Sequence, residues 1–151
     1  MNYAIIKLGD IMEKYILLDQ MDEYEEIDKL RRKVNNLPSS NDNYYHNQLK
    51  FGKIIAVATI LKGEMIAGCY ISKSRTSLYI ENIFVKKEYQ HQGYGKKLIR
   101  YVLDHKEKFE EYFDTEFLYS KLEPNSKEII GFYESMGYSE PNEYNVMKRR
   151  I

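Results

Sequence analysis

The sequence predicts a mixed α/β domain, α+β in character, in which a twisted, mostly antiparallel central sheet is flanked by helices. Apolar runs rich in β-branched residues occupy Lys53–Leu61, Glu64–Ser72 and Leu78–Val85, and the turn dipeptide Lys62-Gly63 joins the first two as a hairpin. A glycine pair, Gly93 and Gly95, separates the third run from a helical pattern at Leu98, Ile99, Val102 and Leu103. A further strand-then-helix pattern lies between Thr115 and Met136. The 151 residues, 43% of them hydrophobic, suit one domain around one core, and no linker divides 1–151.

Taken in order, Tyr3 to Lys7 is a short apolar strand ending at Gly9. Asp10 with Glu13 three residues on forms a capping-box pattern, which predicts a helix from Ile11. Ile11, Tyr15 and Leu18, then Tyr24, Ile27, Leu30 and Val34, recur at helical spacing up to Asn35-Asn36-Leu37-Pro38, as one helix broken near Asp19 to Asp22 or as two. Ser39 to Asn47 is polar, has neither period and reads as a loop. In Leu78–Val85, period 2 places Glu81, Ile83 and Val85 on one face and Ile80, Asn82 and Phe84 on the other. Both rows are largely apolar, so this strand is expected inside a sheet covered on both sides, with Glu81 the odd member of its row. After the glycines, Lys96, Lys97, Arg100 and Asp104 supply the polar side of a helix. A strand from Thr115 to Leu122 follows. Asn125 then caps a helix whose third position is Glu128, with Ile129, Ile130, Tyr133 and Met136 along its apolar side and Gly137 as its stop. Tyr144 to Arg150 reads as the last strand.

Composition narrows the function classes. Lys plus Arg equals Asp plus Glu at 23 each, which gives no reason to expect nucleic acid or an anionic membrane as partner. No run approaches the roughly 18 apolar residues needed to cross a bilayer, and Met1-Asn2-Tyr3 lacks a signal-peptide layout, so a cytoplasmic location is expected. The single cysteine, Cys69, cannot form an internal disulfide and reads as a buried thiol within Ile66-Ala67-Gly68-Cys69-Tyr70. No metal site is assigned.

The segment Gln90-His91-Gln92-Gly93-Tyr94-Gly95 carries the chemistry. Amides at the start of a helix lack partners within it, and the peptide dipoles make that end electropositive, so anions bind there. Gly93 and Gly95 allow a tight turn and a close backbone approach to phosphate, although a pair of turn glycines without any ligand has the same appearance. A dinucleotide-binding GxGxxG fails because Leu98 stands at the third small position, and a Walker A segment fails because Lys97 follows Lys96 where Ser or Thr is required.

With these residues in view, Leu78 to Val85 followed by Glu88 to Leu98 resembles the cofactor motif of the GNAT superfamily of N-acetyltransferases, Arg/Gln-x-x-Gly-x-Gly/Ala. Ile130-Gly131-Phe132-Tyr133-Glu134-Ser135-Met136-Gly137-Tyr138 resembles the family's second signature, Phe-Tyr-x-x-x-Gly-Phe. The resemblance implies the GNAT fold, in which the strand before the Gly segment splays from its neighbour to hold acetyl-CoA as co-substrate. It assigns the pantetheine arm to the backbone of Ile83, Phe84 and Val85, and the pyrophosphate to the backbone of His91, Gln92, Gly93, Tyr94, Gly95 and Lys96, with Gln90 shaping the loop.

The implied activity is transfer of an acetyl group to a primary amine by direct attack, without an acetyl-enzyme. Tyr133 matches the residue that protonates the leaving thiolate; periodicity alone makes it a core aromatic. Glu81 matches the base used by some members, and reads equally as a buried carboxylate with a satisfied hydrogen bond. Where many members carry Asn seven residues before the tyrosine, this chain has Ser126, with Asn125 one place earlier, so either residue fills that contact. The acceptor is a small-molecule or peptide amine, and a homodimer accords with family habit. Two rival readings are a domain that senses acyl-CoA without turnover and a toxin-type acetyltransferase of aminoacyl-tRNA, the latter disfavoured by the balanced charge.

Overall fold

The computed structural model describes residues 2–8, 11–18, 21–37, 44–73, 78–105, 117–121, 127–144 and 146–150. Its strands are β1 (Asn2–Leu8), β2 (Ile11–Leu17), β3 (Ile54–Leu61), β4 (Glu64–Lys73), β5 (Leu78–Val85), β6 (Phe117–Lys121) and β7 (Val146–Arg150). The described helices are α1 (Met21–Val34), α2 (Tyr44–Lys50), α3 (Tyr94–Asp104) and α4 (Lys127–Ser135). The strands form one sheet in chain order, β1 through β7. Every pairing is antiparallel except β5 with β6, where the chain crosses over by way of α3.

Apolar side chains leave the sheet on both sides. Under α3 and α4 lie Val57, Cys69, Ile71, Ile80 and Met147, packed with Leu98, Ile99, Val102, Tyr133 and Met136. Under α1 and α2 lie Ala56, Ala58, Tyr70 and Phe84, packed with Ile27, Leu30 and Leu49. Cys69 is fully buried, and desolvation pushes its thiol up to about 12, in keeping with a structural residue.

Four sequence expectations are corrected. Ile11–Leu17 is a strand paired with β1 from Leu8↔Ile11 to Asn2↔Leu17, not the start of a helix. Its apolar run satisfies both periods, and Gly9-Asp10 between two such runs is a hairpin signal that competes with the capping box. The helix proper starts at Met21. Secondly, Tyr44 to Asn47 belongs to α2 and not to a loop, while Ser39 to Asn43 lies outside the described residues. So short a helix is marginal by itself; tertiary packing of Tyr45 and Leu49 sustains it.

Thirdly, β5 does not keep strict alternation. Tyr70 pairs with Asn82 and Ile71 with Ile80, so Glu81 is an extra residue, a β-bulge. The bulge resets the faces: Ile80 joins Ile83 and Val85 beneath α3 and α4, Phe84 lies beneath α1, and Glu81 is exposed instead of buried. Fourthly, Ile129 is 42% exposed, leaving Ile130, Phe132, Tyr133 and Met136 as the inward side of α4.

The stop at Gly137 follows expectation. With φ 86° it lets Tyr138 N–H reach the Tyr133 carbonyl at 3.1 Å and its own N–H reach Glu134 at 3.0 Å, a Schellman closure. The rings of Tyr133 and Tyr138 meet edge to face across it at 4.9 Å. No helix among the described residues is long and apolar enough to cross a membrane.

Candidate active site

The parallel pair β5–β6 is short. Among the described residues it pairs at Leu78↔Leu118, Tyr79↔Tyr119 and Ile80↔Ser120, whereas β5 runs on to Val85. Past the bulge, therefore, the β6-facing edge of Glu81–Val85 has no strand partner among the described residues. An edge of this kind offers backbone N–H and C=O groups to anything extended that lies along it.

That edge leads directly into the Gly segment. A 3₁₀ turn, Lys87–Tyr89, follows β5, and Gln90 Nε2 donates to the Val85 carbonyl at 2.9 Å, folding the loop back onto the strand end. Gln92 Nε2 likewise donates to the Glu88 carbonyl at 3.0 Å. His91 and Gly93 are both left-handed, with φ 62° and 89°, and Gly93 is the α3 N-cap with no side-chain bond to the first turn. The first-turn amides of Tyr94, Gly95 and Lys96 thus remain available to an anion. His91 projects an exposed side chain from the loop.

The two glycines serve different ends. A Cβ on Gly93 would meet nothing within 4 Å, so its requirement is conformational. A Cβ on Gly95 would lie 3.3 Å from the Phe132 ring and 3.7 Å from Ile83 Cδ1, so Gly95 lets α3 sit close to α4 and β5. The adjacent lysines differ too. Lys97 turns to the sheet and pairs with Glu13 at 2.9 Å, while Lys96 has no ion-pair partner among the described residues.

Tyr133 and Glu81 lie on opposite sides of β5. Tyr133 is 3% exposed in the core beneath α3 and α4, edge to face with Phe132 at 5.2 Å. The Glu81 carboxylate stands near Tyr45 of α2: that phenol is raised above its ordinary value first by burial and next by the Glu81 charge. Phe84 is 3% exposed beneath α1, and Ile83 and Val85 pack toward α3 and α4. Asn125 and Ser126 lie outside the described residues.

The sequence did not single out the groups that hold α2 beside Glu81. Tyr45 stacks on Tyr70 at 4.5 Å, and the Arg31 guanidinium lies 4.5 Å from the Tyr45 ring centre. Asp28, 7% exposed, accepts from Arg31 Nε at 3.0 Å, Arg32 Nε at 2.9 Å and the Tyr70 hydroxyl at 3.1 Å. The adjacent aromatics Tyr44-Tyr45, within a segment otherwise polar, were the available sign. A cavity of about 440 Å³ lined by Arg100, Asp104, Ser135, Gly137 and Arg149 lies at the C-terminal ends of α3 and α4. It is remote from the Gly segment at the start of α3 and takes no part in this site.

Comparison with known proteins places this geometry in a family. No curated protein sequence matches the chain significantly. Among solved structures it is similar to the ribosomal-protein-S18-alanine N-acetyltransferase from Escherichia coli, with a TM-score of 0.73 and 21% identity over 93% of this chain and 94% of that one. It is also similar to the PaiA N-acetyltransferase from Thermoplasma acidophilum in complex with coenzyme A, with a TM-score of 0.62 and 12% identity over 100% of both chains. An aminoglycoside acetyltransferase from an uncultured soil metagenomic sample, in complex with sisomicin, gives 0.66 and 16% over 82% of this chain and 86% of that one. Identities this low speak to the fold alone. The model of the acetyltransferase (GNAT) domain matches residues 44–140, from α2 through the Gly segment to the residues just past α4. With that match spanning well over half its length, the chain belongs to the GNAT acetyltransferase family.

Proposed function

We propose that the protein is an acetyl-CoA-dependent N-acetyltransferase acting on a primary amine by direct attack. The observation that carries this reading is that, past Ile80, β5 has no strand partner on its β6 side among the described residues, and that this edge runs straight into a helix start with no side-chain cap. The edge from Ile83 to Val85 suits an amide-bearing arm, and the turn from His91 to Lys96 suits a pyrophosphate. The family match and the complex of the Thermoplasma relative with coenzyme A support acetyl-CoA as the ligand.

In this reading the amine nitrogen attacks the thioester carbonyl, the C–N bond forms and the C–S bond breaks. Glu81, exposed at the bulge, takes the proton from the amine directly or through water, and Tyr133, across the strand, gives one to the departing thiolate. A β5 backbone N–H stabilises the carbonyl oxygen as charge builds. Asn125 or Ser126 contributes the contact that the family makes with Asn. Sisomicin in one relative and a ribosomal-protein alanine in the name of another set the acceptor range to assay.

The test is release of free CoA thiol from acetyl-CoA across polyamines, aminoglycosides, amino acids and peptide N-termini. Turnover with one class supports the reading. Acetyl-CoA binding without thiol release in any class refutes catalysis.

A further inference from the structure

Strand β2 reaches the Gly segment through one ion pair, its carboxylate buried and its ammonium partly exposed. Glu13 on β2 is 2% exposed; Lys97 Nζ donates to its Oε1 at 2.9 Å and the Tyr15 hydroxyl to its Oε2 at 3.1 Å. One turn further along α3, the Tyr15 ring stacks on Tyr101 at 5.2 Å with 14° between planes. Lys97 and Tyr101, four residues apart, share one face of the helix, and β2 grips that face at both points. Lys97 is also the residue whose backbone N–H closes the first turn on the Gly93 carbonyl, at 3.0 Å. A continuous chain of bonds therefore links Glu13 to the N-cap of α3.

An apolar pair of similar volume would give the fold as much stability, because an ion pair with a desolvated carboxylate rarely improves on one in that respect, but it would lack the directed bond that fixes where Lys97 sits. We propose that Glu13 is a positioning residue for the diphosphate of the cofactor. By holding Lys97 it fixes the first turn of α3, so that the amides after Gly93, together with Lys96, meet the phosphates in one geometry. The inference rests on the acetyl-CoA reading above.

For Glu13→Gln, charge alone predicts the opposite sign, which makes that variant the sharp test. Removing a carboxylate near an anion site strengthens phosphate binding by Coulomb attraction; loss of positioning weakens it. Glu13→Gln and the doubly neutral Glu13→Gln/Lys97→Met are titrated calorimetrically with CoA and with 3′-phospho-ADP, the nucleotide head without the arm, beside a thermal unfolding scan. Both variants are expected to bind both ligands about tenfold more weakly, by the same factor for each ligand. The double variant leaves no unpaired charge, and the unfolding scan tells loss of the fold apart from loss of positioning in a folded protein. Unchanged or tighter CoA binding overturns the proposal, and so does a loss seen with CoA but not with the nucleotide head. Wild-type protein that binds neither ligand refutes the acetyl-CoA reading itself, a result distinct from any effect of Glu13.

Discussion

Replacing Gly93 by alanine separates the conformational demand of the loop from its packing. Gly93 has φ 89° and ψ 5°, and a Cβ there meets no atom within 4 Å, so the variant adds strain without collision. Holding an L-residue left-handed costs about 1–2 kcal/mol. A free loop can relax that strain, but a loop presenting its amides to a pyrophosphate cannot, so the cost falls on binding. Acetyl-CoA affinity is expected to drop by about 5- to 30-fold. Gly95→Ala divides the other way. Its Cβ would press on Phe132 at 3.3 Å, and overpacking of about 1–3 kcal/mol outweighs a gain in helix propensity of up to about 1 kcal/mol. That variant is expected to lower Tm by about 2–4 °C per kcal/mol lost. Titration calorimetry with acetyl-CoA beside thermal unfolding reads both effects. Gly93→Asn, which tolerates the left-handed region, is the control and is expected to recover most of the affinity. Wild-type affinity in Gly93→Ala, or no recovery with Asn, refutes the assignment of the pyrophosphate to this turn.

Other expectations follow from the same geometry. Tyr133→Phe should lower kcat by about 100-fold or more while leaving the acetyl-CoA Kd in place; a matching loss of affinity would make the phenol a packing group only. Glu81 is exposed, so Glu81→Gln should change stability by less than about 0.5 kcal/mol yet remove the acid limb of the pH–rate profile. An unaltered profile excludes Glu81 as the base. Buried Cys69, Tyr15 and Tyr70 all have their ionisation raised, mainly by desolvation, from ordinary values of 9.0, 10.0 and 10.0. Their protons stay on in the folded state after the unfolded chain has lost them, so this stabilisation is complete below pH 9 and declines above it. A pH of 11 lies above the ordinary value of all three groups, so the loss there is on the order of a few kcal/mol. Denaturant midpoints from pH 8 to 11 should therefore fall steeply, with the part of the phenolate absorbance that Tyr15→Phe and Tyr70→Phe remove appearing only on unfolding; that part titrating in intact protein would refute the account.

Apart from the bulge at Glu81, the described residues from Lys53 to Asp104 were legible because local rules governed them. Lys62-Gly63 turns a hairpin, Gly93 starts a helix, and the rows of Leu98 and Val102 have one period. Where reading failed, a distant partner decided. Glu13 three residues after Asp10 resembles a cap, but its partner Lys97 lies 84 positions away on another element. Tyr44 to Lys50 lacks the length to declare a helix and gains it from Tyr70 and its neighbours. Glu81 was placed in the correct strand and given the wrong surroundings, because alternation counts residues evenly and a bulge does not. The named site residues came from motif likeness; of the posts around them, Asp28, Arg31 and Tyr45 carry no motif, and Glu13 carries a misleading one.

That bulge makes the site depend on a count of residues as much as on their kinds. Excise a single position between Ile80 and Asn82 and the ladder to β4 heals into perfect pairing, every backbone bond retained. Ile80 would keep its place opposite Ile71 beneath α3 and α4, yet no carboxylate would be left at that edge. A strand improved by the ordinary measure of regularity would have lost the carboxylate proposed as its base, so on that proposal the irregularity at this one residue is what the chemistry needs from the sheet.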